Sequence, residues 1–202
     1  MRSVVRMLLL AIGLVVVVGA GLRARVALFY VDPVVPPPAP GVVCGEDGVT
    51  YASEAAAHTA GRAVLHASAC GACSNAADVE VLRRTRETLT LQARSCGLRY
   101  FLIGRGAAER CLEPVGFTKA CADCWLDDMA CAIAHCTLTC LRSRIIGEPN
   151  NVDGRLNDCL QCDETNCGPE FGRCAGANRR RSGIVSDIGR PAEEIWKKTG
   201  PP

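Results

Sequence analysis

All fourteen cysteines of this 202-residue chain lie between Cys44 and Cys174, and their number is even. That feature bounds what the rest can build. Aromatic residues make up only 4%, so the large side chains that dominate most cores are scarce. Crosslinks must supply stability that packing does not, chiefly by restricting the unfolded chain. Disulfides persist in oxidising compartments and are rare in cytosol, and the amino terminus agrees with such a destination. Arg2 and Arg6 precede an apolar run, Met7 to Ala20 (MLLLAIGLVVVVGA), that closes on Val18-Gly19-Ala20. A basic start, an apolar middle and a small-residue end form a secretory signal pattern, cleaved after Ala20. An uncleaved membrane tether through residues 7–22 is the rival reading, because Val26 to Val31 (VALFYV) prolongs the apolar character. Against it, a spanning helix needs about 20 apolar residues, and Arg23 and Arg25 interrupt this run. On either reading the expected location is the secretory pathway, extracellular or membrane-associated.

The chain divides by composition. Residues 1–20 are the signal peptide or short anchor, and 21–43 a Pro-rich linker whose DPVVPPPAPGVV stretch holds five prolines and reads as an extended spacer. Residues 44–70 form a short unit bounded by Cys44 and Cys70. Residues 71–174 hold the other twelve cysteines, and 175–202 are a basic tail. The long region reads as mainly helical. Asn75 and Asp78 resemble a capping box, and Val79, Leu82, Leu89, Ala93 and Cys96 fall on one face of a helix expected to end before Gly97. A second helix is expected from Ala107 to Glu113, stopped by Pro114. Thr118 caps a third, with Phe117 packing back on it. Asp127 or Asp128 starts a fourth that reaches about Ser143, on which Cys136 and Cys140 are one turn apart and face one neighbour. After loop signals at residues 147–151 and at Asp153-Gly154, a short segment from Asp158 to Asn166 carries Cys159 and Cys162, with Cys167 after it.

Within residues 44–70, Cys44, Gly45, Asp47, Gly48, Thr50 and Tyr51 form a Cys-Gly-x-Asp-Gly-x-Thr-Tyr run, and Ala57, Ala60, Gly61 and Cys70 follow at fitting distances. This segment resembles a Kazal-type serine protease inhibitor domain. The family carries six cysteines paired first to fifth, second to fourth and third to sixth. Cys44 and Cys70 match the third and sixth, so the resemblance implies a Cys44–Cys70 disulfide. Ala55 and Thr59 stand at the fourth and fifth positions, the second falls near Pro36, and the first is absent. Two complete pairs are gone and one remains. The specificity residue falls near Pro38, where proline's fixed φ and missing N–H suit no protease-binding loop, and the loop lacks its clamping cysteine. The expectation is a retained frame without inhibitory function. A second resemblance is carried by CGACSN, FTKACADCW, CLQCDETNCGP and AGANRRRSGI. Over residues 70 to about 190 the chain resembles uncharacterised cysteine-rich secreted proteins of algae and related protists.

Three Cys-x-x-Cys pairs occur, Cys70/Cys73, Cys121/Cys124 and Cys159/Cys162, and His135 adjoins Cys136. Such knuckles can build a structural zinc site, but oxidised thiols cannot serve as thiolate ligands. Phe117 to Ala120 is not the buried strand that a thioredoxin-like motif follows. No Gly-x-Ser-x-Gly elbow and no phosphate loop is present. Position 149 is proline and 160 leucine, which rules out a calcium loop around Asp153-Gly154. Asp123, Asp127 and Asp128 read as a solvated helix face, and Arg179-Arg180-Arg181 as a solvated basic segment. Ile184, Val185 and Ile188 are candidates to dock on the domain. A dispersed net charge of +2 gives no case for nucleic acid.

The expected fold is therefore a small disulfide-rich, mainly α-helical domain preceded by a degenerate Kazal-like α+β unit. Cys73, Cys96, Cys111, Cys121, Cys124, Cys131, Cys136, Cys140, Cys159, Cys162, Cys167 and Cys174 are all expected oxidised. No catalytic residue, cofactor or metal is assigned. The expected function is structural or recognition, without catalysis, toward a protein or extracellular-matrix partner. The alternatives are a Kazal-type inhibitor and a zinc-binding cysteine-rich protein.

Overall fold

The computed structural model describes residues 39–185 and the single positions 7, 13, 17, 21, 30 and 31. The signal or anchor segment, most of the linker, and the tail beyond Val185, with Ile188 and Trp196, lie outside the described residues. No helix among those described is long and apolar enough to cross a membrane.

Strands β1 (Val43–Gly45), β2 (Thr50–Tyr51) and β3 (Val64–Ala67) form an antiparallel sheet in the order β2-β1-β3. Val43 pairs with Tyr51 on one side and Ala67 on the other. The β1–β2 turn depends on Gly48, at φ 76°, a left-handed conformation that glycine adopts without steric cost. Asp47 fastens it, accepting from the Val49 N–H at 3.2 Å and the Tyr51 hydroxyl at 2.9 Å. Gly45 leaves room for both, since a Cβ there would lie 2.6 Å from the Asp47 carboxylate and 2.7 Å from the Tyr51 ring. Helix α1 (Glu54–Thr59) starts at Ser53, whose hydroxyl accepts from the Ala56 N–H, and buries Ala57 against Val43 and Val64. Cys44 is bonded to Cys70 across Cα atoms 4.8 Å apart.

The remainder is helical: α2 (Ala76–Arg84), α3 (Leu89–Ile103), α4 (Arg105–Leu112), a 3-10 turn (Glu113–Val115), α5 (Lys119–Ile145), α6 (Asp158–Asn166) and α7 (Gly168–Ala175). A two-stranded hairpin, β4 (Asn151–Val152) with β5 (Arg155–Leu156), precedes α6. Helix α5, about 40 Å long at 1.5 Å per residue, is the mast to which the others are tied. Its Cys121, Cys124, Cys131, Cys136 and Cys140 reach outward to Cys73, Cys174, Cys167, Cys162 and Cys159 respectively. Cys96–Cys111 staples α3 to α4. With Cys44–Cys70 these make seven disulfides, and no cysteine is free. Between the sulfurs the core is filled by Leu82, Leu89, Leu112 and Leu126, all fully buried. The protein is thus a small disulfide-rich, mainly helical domain with a minor antiparallel sheet.

Where the sheet meets the helices, Leu65 of β3 packs on the helical core and Ser74 gathers the hydrogen bonds. Ser74 Oγ accepts from the Gly71 N–H at 2.8 Å and the Ala177 N–H at 3.2 Å. Its own proton is then directed at His66 Nε2, 2.7 Å away, which leaves Nδ1–H to donate to the Ala67 carbonyl at 3.1 Å. Gly71 is required where two backbones touch, because a Cβ would meet the Cys174 carbonyl oxygen at 2.5 Å.

Three expectations are corrected. The helix from Asn75 is two helices: it is capped by Asn75, which accepts from the Asp78 N–H, but ends at Arg84. Thr85 turns its hydroxyl back onto the Val81 carbonyl at 2.7 Å, and the turn at 85–88 lets Leu82 and Leu89 both enter the core. The second of these helices runs through Gly97 and stops at Gly104, whose φ of 119° no helix continues. Third, the helices expected from Thr118 and from Asp127 or Asp128 are one. No glycine or proline interrupts residues 119–145, so the aspartates sit mid-helix. Thr118 caps α5 by accepting from the Cys121 N–H, and Phe117 stacks on Trp125 with centroids 5.7 Å apart. Helix α7 and the β4–β5 hairpin lie where only loops or cysteine spacing had been legible.

Candidate functional site

Helices α3, α5, α6 and α7, with the segment from Asn178 to Ile184, line a half-open cavity of about 850 Å³, a size that suits a small-molecule ligand. Its walls are mostly hydrocarbon. Ala93 and Leu98 come from α3, Trp125, Met129 and Ile133 from α5, and Phe171 from α7. Trp125 is held by Phe171, edge to face at 4.8 Å, as well as by Phe117. The disulfides keep the walls apart, since Cys124–Cys174 and Cys131–Cys167 tie α5 to both ends of α7 while Cys136–Cys162 and Cys140–Cys159 tie it to α6.

Three acidic residues, Asp128, Asp163 and Glu164, line this space together with arginines that include Arg144 and Arg180. Asp128 on α5 and Asp163 on α6 line the cavity, and their oxygens lie within 4.8 Å of one another. Burial pushes the Asp163 carboxyl up to about 7, with the charge of Glu164 adding to the effect. Burial likewise pushes Asp128 well above the usual carboxylate range, followed by the charges of Asp163 and Glu164. Asp163 Oδ1 is buried without a hydrogen-bond partner, and so is Nε1 of Trp125, which lines the same cavity. The reading of Asp123, Asp127 and Asp128 as one solvated face is therefore corrected. Asp123 and Asp127 do face outward, and they pair with Arg105 at 3.3 and 2.6 Å. Asp128 belongs to a different face of α5, turned by helical geometry toward α6.

In the arginine run only Arg180 is exposed; Arg179 and Arg181 are not a solvated segment. Arg179 donates to the Arg86 carbonyl and to Thr90 Oγ1, both at 2.8 Å. Arg181 donates to the Gly172 and Gly176 carbonyls, and burial, with the charge of Arg180, holds its guanidinium below the ordinary arginine range. Ile184 packs on the core and Val185 is exposed. No signal short of the fold exposes these contacts, because their carbonyl acceptors lie on other elements.

The sulfur-bearing candidates separate. Each Cys-x-x-Cys pair splits between two partners: Cys70 to Cys44 and Cys73 to Cys121, Cys124 to Cys174, Cys159 to Cys140 and Cys162 to Cys136. Cys167 Sγ lies near the Asp128 and Asp163 oxygens, but it is bonded to Cys131. The three histidines are dispersed. His58 pairs with Glu54 on the surface at 3.4 Å, and His135 is exposed, edge-on to Tyr30 at 5.7 Å. His66 makes a serine–histidine contact that sequence spacing had not indicated, yet it is fully buried. Burial, assisted by the Arg181 charge, lowers its pKa. That pair holds two backbones together and meets no solvent.

Residues 105–198 match a family of unknown function (DUF8771). No curated protein and no solved structure matches the chain.

Proposed function

We propose that this is a non-catalytic recognition protein of the secretory pathway, whose disulfide-tied helices present a preformed binding cavity. The observation that carries the reading is the cavity of about 850 Å³ held by four disulfides around α5. Seven disulfides with no free cysteine are the chemistry of an oxidising, extracellular or secretory environment. Exposed apolar side chains on α3 and the end of α5, Ile103 and Ile145 among them, supply a surface for a protein or matrix partner. Residues 44–70 are, on this reading, a degenerate Kazal frame kept as a structural cap. A three-stranded sheet with α1 packed on it, a single disulfide, and the His66–Ser74 contact to the helices all support that role.

Intact mass of the secreted protein, alkylated without reductant, should show no added label, and elemental analysis should find no stoichiometric zinc. Several labelled thiols with bound metal would sink this reading in favour of a zinc protein. A panel of serine proteases should remain fully active in its presence; tight inhibition of any one would restore the inhibitor reading.

A further inference from the structure

Thirteen large apolar side chains stand exposed among the described residues, and eight of them belong to α3, to the last turns of α5 and to its cap, Ile146. On α3, Leu91, Leu98 and Leu102 are seven and four residues apart and share one face, turned away from the face that buries Leu89 and Cys96. On α5, Leu138, Leu141 and Ile145 are three and four apart and do the same. The two stripes adjoin. Leu98 and Leu141 line the large cavity together, and Leu91 and Leu98 line a smaller one of about 250 Å³ with Arg144 and Gly147. A contiguous exposed patch of this kind marks an interaction surface. The charge around it is one-sided. Residues 88–108 hold Arg94, Arg99 and Arg105, and residues 129–147 hold Arg142 and Arg144, with no aspartate or glutamate in either stretch. Arg99 and Arg144 are exposed, and Arg94 donates to the neutral Asn150 amide oxygen at 2.6 Å. Acids from outside the stretches pair with the other two, Asp123 and Asp127 with Arg105 and Asp158 with Arg142. Glu148, at the edge, accepts from the Ser143 hydroxyl. The acids of the large cavity lie toward its other end. Asp128 is sixteen residues before Arg144 on α5, about 24 Å along the axis, and Asp163 and Glu164 follow Cys162, which is bonded to Cys136.

We propose that this face docks on an anionic lipid surface, with Leu91, Leu98, Leu102, Leu141 and Ile145 entering the boundary between headgroups and hydrocarbon, and Arg99 and Arg144 meeting the lipid phosphates. This rests on the recognition reading above and gives the exposed face a lipid as its partner in place of a protein or matrix. Burial of apolar side chains and attraction of basic ones to anionic lipid are the two contributions by which a peripheral surface binds a bilayer. A second copy of the chain fits less well, because pairing the face with itself sets arginines against arginines. A protein partner also fits less well. All eight exposed side chains are leucine or isoleucine, whereas protein interfaces are anchored mostly by tryptophan, tyrosine and arginine, with leucine under-represented.

The test uses the secreted protein and vesicles of two compositions, phosphatidylcholine alone and phosphatidylcholine with one third phosphatidylglycerol. Co-sedimentation at low ionic strength should show about tenfold tighter binding to the anionic vesicles, a preference that shrinks as salt is raised and the arginine charges are screened. The Leu102→Ser/Ile145→Ser double variant, at two exposed positions, should keep its circular dichroism and bind anionic vesicles about tenfold more weakly. Arg99→Gln/Arg144→Gln should remove most of the preference for anionic over neutral vesicles. Val49→Ser, which takes an exposed apolar side chain from the β1–β2 turn, should leave binding unchanged. No binding to either vesicle, equal binding to both, double variants that match the wild type, or an equal loss in the Val49→Ser variant would each overturn the lipid surface. So would a dimer in sedimentation velocity that Leu102→Ser/Ile145→Ser dissociates, which assigns the face to a second copy. Intact mass of the same sample, alkylated without reductant, separates the two failures. Fully oxidised protein that ignores the vesicles refutes the lipid surface alone, whereas labelled thiols refute the recognition reading beneath it.

Discussion

Asp78 and the Asp128–Asp163 pair are acids withdrawn from water by the same domain, and the fold treats them in opposite ways. Asp78 is fully buried and every approach to it is occupied. Its Oδ1 accepts from the Thr118 N–H at 2.7 Å, and its Oδ2 from the Thr118 hydroxyl and the Asn75 amide, both at 2.6 Å. One carboxylate thereby fastens the start of α2 to the start of α5. In the Asp128–Asp163 pair, by contrast, Asp163 Oδ1 is buried with no hydrogen-bond partner. Hydrogen bonds to a charged group contribute more than neutral ones, while a buried polar atom left unmade is costly. The contrast teaches that burial alone does not make an acid structural. What decides is whether the chain itself supplies the donors.

If that distinction holds, removing Asp78 should have the largest effect. Asp78→Ala strands the Thr118 and Asn75 donors inside the protein and should cost about 3–5 kcal/mol, read as a lower denaturant midpoint. A loss below 1 kcal/mol would break the comparison. Ser74→Ala extends it to a neutral network. Two backbone N–H groups and His66 lose their partner, for an expected loss of about 2 kcal/mol in the same measurement.

The pair in the cavity should respond with the opposite sign. Because the Asp163 pKa is raised from 3.8 to about 7, the folded protein holds this proton more tightly than the unfolded chain does. Its contribution favours the fold at low pH and is lost as pH rises from about 4 to about 7. Asp128, also raised, adds to the decline. Asp163→Asn should therefore stabilise the ligand-free protein at pH 8, by on the order of 1–2 kcal/mol, and leave it nearly unchanged at pH 4.5. Thermal unfolding at the two pH values checks this, and destabilisation at pH 8 would show that the carboxylate has a structural partner. The smallest effect is expected on the outer face of α5. Arg105→Ala removes partly exposed ion pairs to Asp123 and Asp127 and should change stability by no more than about 0.5 kcal/mol.

Much of the fold was legible because it is written in local chemistry. Asn75, Thr118 and the start near Asp158 announce helix beginnings, and those beginnings stand where the caps are. An even set of cysteines in an aromatic-poor chain called for a crosslinked helical domain. Legibility failed where a long-range contact decides. Asp127 and Asp128 look like N-caps to a local reading, yet nothing local forbids helix through them, and five disulfides make one long α5 the common partner. The turn at 85–88 is set by Thr85 and by carbonyl contacts from Arg84 to Val115 at 2.9 Å and from Arg179 to Arg86, distant in sequence by 31 and 93 residues. Of the candidate site, the sulfur positions could be read but the cavity could not. Asp128 and Asp123 differ only in which side of α5 they occupy, and that side is defined by α6.

The way α5 shares its sulfurs also constrains how the protein is made. A chain oxidised while it is made, amino end first, can close Cys44–Cys70 early, since the two thiols are only 26 residues apart. Cys73 must wait for Cys121, and Cys124 must wait until Cys174 has emerged. Throughout that delay the nearest thiol to Cys124 along the chain is Cys121, a wrong mate. A premature Cys121–Cys124 bridge is undone only by thiol–disulfide exchange, and a truncation that removes Cys174 leaves Cys124 without its mate and open to such mispairing.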